Sequence, residues 1–129
     1  MRAVPALLLA SFVVFAGCSR DAMENPVAPS PVPATRSFRT DVLPVFARQG
    51  CLSCHGGSGG LVVATVADLL KGGDHGPAIV PDSASRSVLV GKLGTPPLFG
   101  DRMPQGGLPL PAETIRIIAE WIDQGAKDN

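Results

Sequence analysis

Hydrophobic positions between residues 37 and 129 recur mostly at the three- and four-residue spacing of amphipathic helices. This periodicity predicts helices over residues 37–49, 65–71, 83–93 and 111–124. The last helix is the clearest, with one apolar stripe formed by Ile115, Ile118, Ala119 and Ile122. No strand-like alternation and no internal repeat is visible in the sequence. The pattern therefore predicts an all-α domain.

Turn-forming residues bound the predicted helices. Pro44 lies inside the first pattern and fits if that helix begins near Asp41, because proline is tolerated in a first helical turn. Pro111 suits the first turn of the last helix for the same reason. Residues 56–60 are almost all glycine, and residues 94–110 are rich in glycine and proline, so both segments predict loops.

The start of the chain has a different pattern. Arg2 precedes an apolar run over residues 3–16, which is shorter than the roughly 20 apolar residues of a membrane-spanning helix. Such a run is typical of an export signal, which takes no part in the fold. It ends in Phe15-Ala16-Gly17-Cys18, which resembles the lipobox of bacterial lipoproteins and implies cleavage before Cys18 and lipidation of that residue. The alternatives are an ordinary signal peptide with a chance cysteine and an uncleaved anchor.

The segment after the predicted cleavage site is rich in proline, at positions 26, 29, 31 and 33. Proline-rich chains adopt extended conformations and act as semi-rigid spacers. The predicted organisation is a lipoprotein signal peptide over residues 1–17, a lipidated tether over residues 18–36 and one folded domain over residues 37–129. A domain of that size has a marginal hydrophobic core by itself.

Charge and cysteine content narrow the classes of partner. The chain has 11 basic and 11 acidic residues, and loss of Arg2 with the signal leaves 10 against 11, a net charge of −1. No basic patch, charge run or aromatic interleaving indicates a nucleic-acid partner. With Cys18 lipidated, the two remaining cysteines are Cys51 and Cys54.

Those two cysteines belong to Cys51-Leu52-Ser53-Cys54-His55, the stretch of the sequence that most clearly indicates a cofactor. Two thiols at this spacing can form thioethers with the vinyl groups of a haem, and the next histidine can then bind iron as the proximal ligand. The pattern therefore indicates attachment of a c-type haem. The alternatives are a disulfide, a redox-active thiol pair without the usual βαβ surroundings, and zinc binding without an obvious fourth ligand.

The second axial ligand decides what a haem protein does. A thioether closes the iron and suits electron transfer, whereas an open position permits chemistry on small molecules. Met103 is the predicted sixth ligand, because it is the single methionine of the domain and its polar neighbours are not core types. His75 lies in a polar turn and is predicted to be a solvated loop residue. Lys71 and Lys92 could bind iron only when deprotonated.

Further residues are candidates for the wall of a haem pocket. The apolar ones are Val62, Val63, Leu93, Leu98 and Phe99. Arg102 is a candidate partner for a haem propionate, with an exposed, unpaired arginine as the alternative.

Several short motifs follow one another in a specific order along the domain. They are Asp41-Val42-Leu43-Pro44-Val45-Phe46, the motif from Cys51 to His55 with Gly56-Gly57, Leu69-Leu70-Lys71-Gly72-Gly73, Gly76-Pro77-Ala78-Ile79-Val80-Pro81, Ser87-Val88-Leu89, Arg102-Met103-Pro104, Leu110, Glu113, Ile115 and Trp121-Ile122-Asp123-Gln124-Gly125-Ala126. Their order and spacing resemble the planctomycete-type cytochrome c domains. One departure is Asp82-Ser83-Ala84-Ser85, where the family often has Gly-Asp-Pro.

This resemblance implies an all-α, small class I cytochrome c fold of roughly three to five helices around one covalently attached haem c, with long loops rich in glycine and proline. It implies that His55 and Met103 are the axial iron ligands. It also implies that the first and last helices pack together through Phe46 and Trp121, and that Pro77 and Ile79 flank the proximal histidine.

Taken together, these features predict a lipid-anchored monohaem cytochrome in a bacterial cell envelope, facing the periplasm or the exterior. It would exchange single electrons with redox partner proteins, touch the membrane through its N-terminal lipid, and act as an electron carrier rather than an enzyme. The alternative is a haem-based sensor of small ligands or a peroxidase-like enzyme with a labile sixth ligand. A third possibility is a haem-free lipoprotein in which Cys51 and Cys54 form a disulfide.

Overall fold

The computed structural model describes residues 34–129. Their main elements are five α-helices, namely α1 (Leu43–Arg48), α2 (Cys51–Cys54), α3 (Val66–Lys71), α4 (Val88–Leu93) and α5 (Ala112–Asp123). A π-helical turn, Phe38–Val42, precedes α1, and two 3-10 turns lie at Ser58–Gly60 and Ala84–Arg86. Within the described residues, β-structure is limited to two isolated bridges. The prediction of an all-α fold is confirmed.

The predicted signal peptide, the lipidation site Cys18 and the tether up to residue 33 lie outside the described residues. The last tether residues are attached to α5. Arg36 donates a backbone hydrogen bond of 2.7 Å to the Gln124 side chain, and its guanidinium lies 2.9 Å from Glu120. The Gln124 amide in turn donates to the Ala34 carbonyl at 3.1 Å. Long-range contacts of the domain therefore extend back to Ala34.

The first predicted helix forms in two parts. Ser37 caps the π-helical turn by accepting a hydrogen bond from the Thr40 backbone N–H at 3.3 Å. The chain then continues into α1, which has Pro44 in its first turn, as the predicted start near Asp41 requires.

The predicted helix over residues 83–93 is interrupted at Ser87, whose backbone is extended. The Ser87 side chain is buried and accepts a hydrogen bond from the Val80 N–H at 2.9 Å while donating to the Ser83 carbonyl at 2.9 Å. A serine that bonds to nearby backbone in this way competes with the helical ladder. The segment is therefore a 3-10 turn followed by α4. The glycine-rich loop at residues 56–60 also holds a short 3-10 turn.

The core joins the first and last helical segments. The rings of Phe38 and Trp121 lie 5.3 Å apart, and those of Phe38 and Phe46 lie 6.5 Å apart, edge to face. Phe38 thus lies next to both Phe46 and Trp121, the two residues through which the first and last helices were predicted to pack. All three are buried. The Trp121 indole donates to the Lys127 carbonyl at 3.0 Å, which satisfies its buried N–H.

Helix α5 ends in a Schellman motif. The Gly125 N–H bonds to the Ile122 carbonyl and the Ala126 N–H to the Trp121 carbonyl, each at 3.0 Å. Ala126 is itself buried, so the chain turns back onto the core directly after the helix.

Across residues 34–129, the helices are all too short or too polar to traverse a lipid bilayer.

Candidate functional site

A cavity of about 430 Å³ opens between α1, α2, α4, α5 and the loops that connect them. This volume lies in the range of sites for small molecules and cofactors. This one cavity is lined by Cys51, His55 and Met103. Met103 is far from the other two residues along the chain. The remaining lining is largely apolar. The structure therefore brings together a thiol, an imidazole and a thioether.

One side of the cavity, here called the His55 wall, consists of residues 51–63 and the turn over residues 72–76. His55 follows α2 directly, and its N–H donates to the Cys51 carbonyl at 2.8 Å. Its own carbonyl accepts from the Val63 N–H at 3.2 Å. These two bonds fix the backbone of His55 on both sides.

The His55 ring is oriented by a backbone carbonyl. Its Nδ1 lies 3.2 Å from the Ser58 oxygen. In the tautomer that carries the proton on Nδ1, this atom donates to Ser58 and leaves Nε2 with a free lone pair. Histidines that bind metals commonly have their other nitrogen held in this way.

The two cysteines of the motif differ in environment. Cys51 is half-buried and lines the cavity, whereas Cys54 is exposed and is not among the lining residues. Both are free thiols in the structure. Burial raises the pKa of the Cys51 thiol, against an opposing backbone hydrogen bond, and the neighbouring Cys54 raises it further.

The turn over residues 72–76 packs directly against the glycine-rich loop. The Asp74 N–H donates to the Gly59 carbonyl at 2.9 Å, and Gly73 and Gly76 bond to each other across the turn. His75, which the sequence predicted to be a solvated loop residue, is exposed. It also lines the cavity, and its ring centroid lies 4.2 Å from that of Phe99. Sequence reasoning missed this second role, because nothing local connects residues 75 and 99.

A second side of the cavity, here called the Met103 wall, consists of residues 92–110. Met103 is half-buried, and its N–H donates to the Lys92 carbonyl at 2.9 Å. The Leu98 N–H donates to the Gly91 carbonyl, also at 2.9 Å. These two hydrogen bonds attach the loop that carries Met103 to the end of α4. The peptide bond between Met103 and Pro104 is cis.

Arg102 supports this loop from within. Its guanidinium donates to the Met103 carbonyl at 3.2 Å and to the Gly107 carbonyl at 2.7 Å. It is not among the residues that line the cavity. The observed contacts of Arg102 are thus with its own loop, and its pairing with a haem propionate stays a prediction.

The predicted pocket residues are partly correct. Val63, Leu93 and Phe99 line the cavity, whereas Val62 and Leu98 do not, and Leu98 is 62% exposed. Pro77 and Ile79 are not in the lining either, although Ala78 between them is. Lining residues that the sequence analysis did not assign to the cavity include Phe46, Leu61, Leu89, Leu110 and Ile118. Their helical spacing marked some of them as core, but spacing cannot separate core from cavity wall.

The donor set fits a c-type haem. Histidine nitrogen and methionine sulfur are axial ligands of cytochrome iron, and the apolar lining suits the porphyrin. Over residues 34–129, no group of three or more His, Cys, Asp or Glu side chains is arranged to hold a metal ion by itself. The fold and the site thus define a small helical domain with a cavity suited to a haem.

Residues 51–95 match the family model described as Planctomycete cytochrome C. This part of the chain is therefore similar to planctomycete-type cytochrome c domains, and the similarity suggests a haem-binding electron-transfer protein. The matched segment begins at Cys51 and ends before Met103. Comparison with curated proteins and with solved structures gave no match.

Proposed function

We propose that this protein is a lipid-anchored monohaem c-type cytochrome that transfers single electrons between protein partners. The observation that carries the proposal is the meeting of Cys51, His55 and Met103 at one apolar cavity. A haem bound there supplies a change of iron valence by one electron, which requires no substrate to enter the site.

The residues of the chain have distinct roles in this proposal. Cys51 and Cys54 form the two thioethers, and His55 binds iron through Nε2, with Ser58 holding the ring. Met103 supplies the sixth ligand. The apolar side chains around them exclude water, and a dry environment with a thioether ligand raises the reduction potential.

Exposure of Cys54 supports exchange of electrons with another protein. Because this cysteine lies at the surface, the thioether that it forms is accessible to a partner, while Cys51 anchors the same group from inside the cavity. A redox partner protein can then approach the thioether at Cys54 without any opening of the domain.

Location at a membrane is supported by the sequence alone. The apolar run over residues 3–16 and the lipobox-like ending at Cys18 support export and lipidation, which would place the domain outside the cytoplasm on a proline-rich tether. A Cys18→Ser variant should appear in the soluble fraction of the cell envelope, whereas the parent remains with the membranes.

A second candidate function is a sensor or an enzyme in which a small molecule binds the iron. The position of Met103 favours it, because this residue lies on a long loop between α4 and α5 rather than on a helix. If Met103 leaves the iron readily, a sixth position opens for a small ligand.

The deciding experiment compares absorption spectra of the exported parent, Met103→Ala and a control, Leu108→Ala. Leu108 lies on the same loop and is 87% exposed, so its loss should leave the site intact. Each protein is examined in the ferric and ferrous states, with and without carbon monoxide. Mass spectrometry verifies that a haem is covalently attached.

Electron transfer is supported if the parent and Leu108→Ala are low-spin and indifferent to carbon monoxide, while Met103→Ala binds it at once. Immediate binding by the parent would contradict Met103 as a firm ligand and would support the sensor or enzyme. A chain that carries no haem after export through the attachment machinery would contradict both functions.

A further inference from the structure

The loop that carries Met103 depends on one end of α4. The last carbonyls of an α-helix have no partner within the helix. Here two of them accept hydrogen bonds from the loop, since Gly91 accepts from Leu98 and Lys92 accepts from Met103, both at 2.9 Å. The backbone of Met103 is thus bonded directly to residue 92.

The side chain of Lys92 reaches the same loop at two further points. Its Nζ donates to the Phe99 carbonyl and to the Asp101 carbonyl, each at 2.5 Å. The ammonium also lies 4.5 Å from the centre of the Phe99 ring. Hydrogen bonds from a charged donor are stronger than neutral ones, and a cation over an aromatic face adds attraction.

The surroundings of Lys92 indicate that its charge serves the loop. Lys92 is half-buried and lines the cavity. Among residues 34–129 no carboxylate forms an ion pair with it. A lysine that has no partner in the protein usually extends into solvent, where its long side chain keeps its conformational freedom. This one is instead fixed between two backbone carbonyls just before Met103.

We propose that Lys92 is the positioning residue for Met103. Its carbonyl fixes the Met103 backbone, and its ammonium fixes residues 99 and 101, so the segment before Met103 is held at three points by a single residue. This inference rests on the proposed function, because it assumes that Met103 is the sixth ligand. It adds that the firmness of this ligand is set by a side chain on α4.

The test uses the holoprotein with Lys92→Leu, which keeps an apolar side chain, removes the ammonium and adds no group that could bind iron. Lys71→Leu is the matched control, since Lys71 is an exposed lysine in the last turn of α3 and does not line the cavity. Lys92→Arg retains a charged donor and should restore part of the effect.

Two measurements are made on each protein. Hydrogen exchange of the Leu98 and Met103 amides reports the attachment of the loop, with the Val63 and Asp74 amides as references on the His55 wall. Carbon monoxide binding to the ferrous protein reports release of the sixth ligand. Loss of two charge-assisted hydrogen bonds should accelerate both loop exchange and carbon monoxide binding by about tenfold or more in Lys92→Leu.

Equal exchange rates and equal carbon monoxide binding in Lys92→Leu and Lys71→Leu would overturn the proposal, while the proposed function would stand. If the parent already binds carbon monoxide at once, the proposed function fails, and unchanged exchange of the loop amides would then overturn the role of Lys92 as well. Should Lys92→Leu fail to yield a haemoprotein, Lys92→Gln gives the same comparison, because its neutral amide keeps a donor without the charge.

Discussion

The His55 wall and the Met103 wall enclose the same cavity but are built in different ways. On the His55 wall, residues close in the sequence bond to one another, as His55 does to Cys51 and Ser58. A single backbone bond from Asp74 to Gly59 then joins the turn to the loop. On the Met103 wall, a long loop gains its attachment from α4 and from the Lys92 side chain.

The difference shows why one proposed ligand, His55, can be predicted from a short motif and the other, Met103, cannot. Local bonds keep their geometry wherever the motif occurs, so the residues from Cys51 to His55 can be recognised by spacing alone. The loop of Met103 is long and is attached to α4 through a few hydrogen bonds, and a segment held in this way opens at a lower free energy than a packed core. We therefore expect the Met103 wall to open before the His55 wall.

The largest expected effect contrasts one glycine from each wall. Gly72 has φ +73° and ψ −157°, and an added Cβ would lie 1.9 Å from the Gly76 oxygen. Gly106 has φ +71° but would meet nothing within 4 Å. Gly72→Ala should lower the free energy of unfolding by about 3 kcal/mol or more, and Gly106→Ala by about 1 kcal/mol. Denaturant unfolding of the two holoproteins measures both.

Similar losses in the two alanine variants would contradict this contrast. They would mean that the turn over residues 72–76 can shift away from the new methyl group, and that the His55 wall is no tighter than the Met103 wall.

A medium effect is expected at Ser87, which holds the start of α4. Ser87→Ala removes the partner of the Val80 N–H and of the Ser83 carbonyl, so it should cost about 1–3 kcal/mol. Because α4 carries the Met103 loop, exchange of the Met103 amide should accelerate more than exchange of the Asp74 amide. Hydrogen exchange followed by NMR measures both amides in one sample.

Ser85→Ala is the control for this variant, because Ser85 is exposed on the neighbouring 3-10 turn. Its effect should stay within about 0.5 kcal/mol. Equal acceleration at Met103 and Asp74 in Ser87→Ala would show that α4 supports both walls alike.

The smallest effect is expected from a change on the outer face of α5. It gives a baseline for amide exchange on both walls. Arg116 donates to Glu113 at 2.8 Å and also bonds to Glu120. Its hydrogen bond lowers the pKa of Glu113. Arg116→Gln should therefore raise that pKa towards its ordinary value, as an NMR titration of the carboxyl would show. Exchange of the Met103 and Asp74 amides should not change.

The sign of the pH dependence follows from the direction of this shift. A carboxyl whose pKa is lowered by folding adds stability above its unfolded pKa and loses it as the pH falls through the folded pKa. Any difference between parent and Arg116→Gln should thus exist at neutral pH and disappear in acid, and it should weaken in high salt. Arg48→Gln, at the exposed end of α1, is the control and should leave the Glu113 titration unchanged.

Several features were predictable because they depend on neighbouring residues. Thr65 caps α3, its side chain accepting a hydrogen bond from the Asp68 N–H, which agrees with the predicted helix over residues 65–71. Helix α5 lies within the predicted range of 111–124. The break at Ser87 was not predictable, because helical spacing continues across it. Its cause is a hydrogen bond from Val80, which the backbone brings near only after folding.

The sequence by itself determined the motif over residues 51–55, the helical class and the candidate ligands, since each depends on residue type and short-range spacing. The tertiary structure decided that Cys51, His55 and Met103 share one cavity, that His75 lies at its edge beside Phe99, and that Lys92 holds the loop before Met103. The physical reason is that these contacts join segments without any shared periodicity. Packing alone brings them within hydrogen-bonding distance.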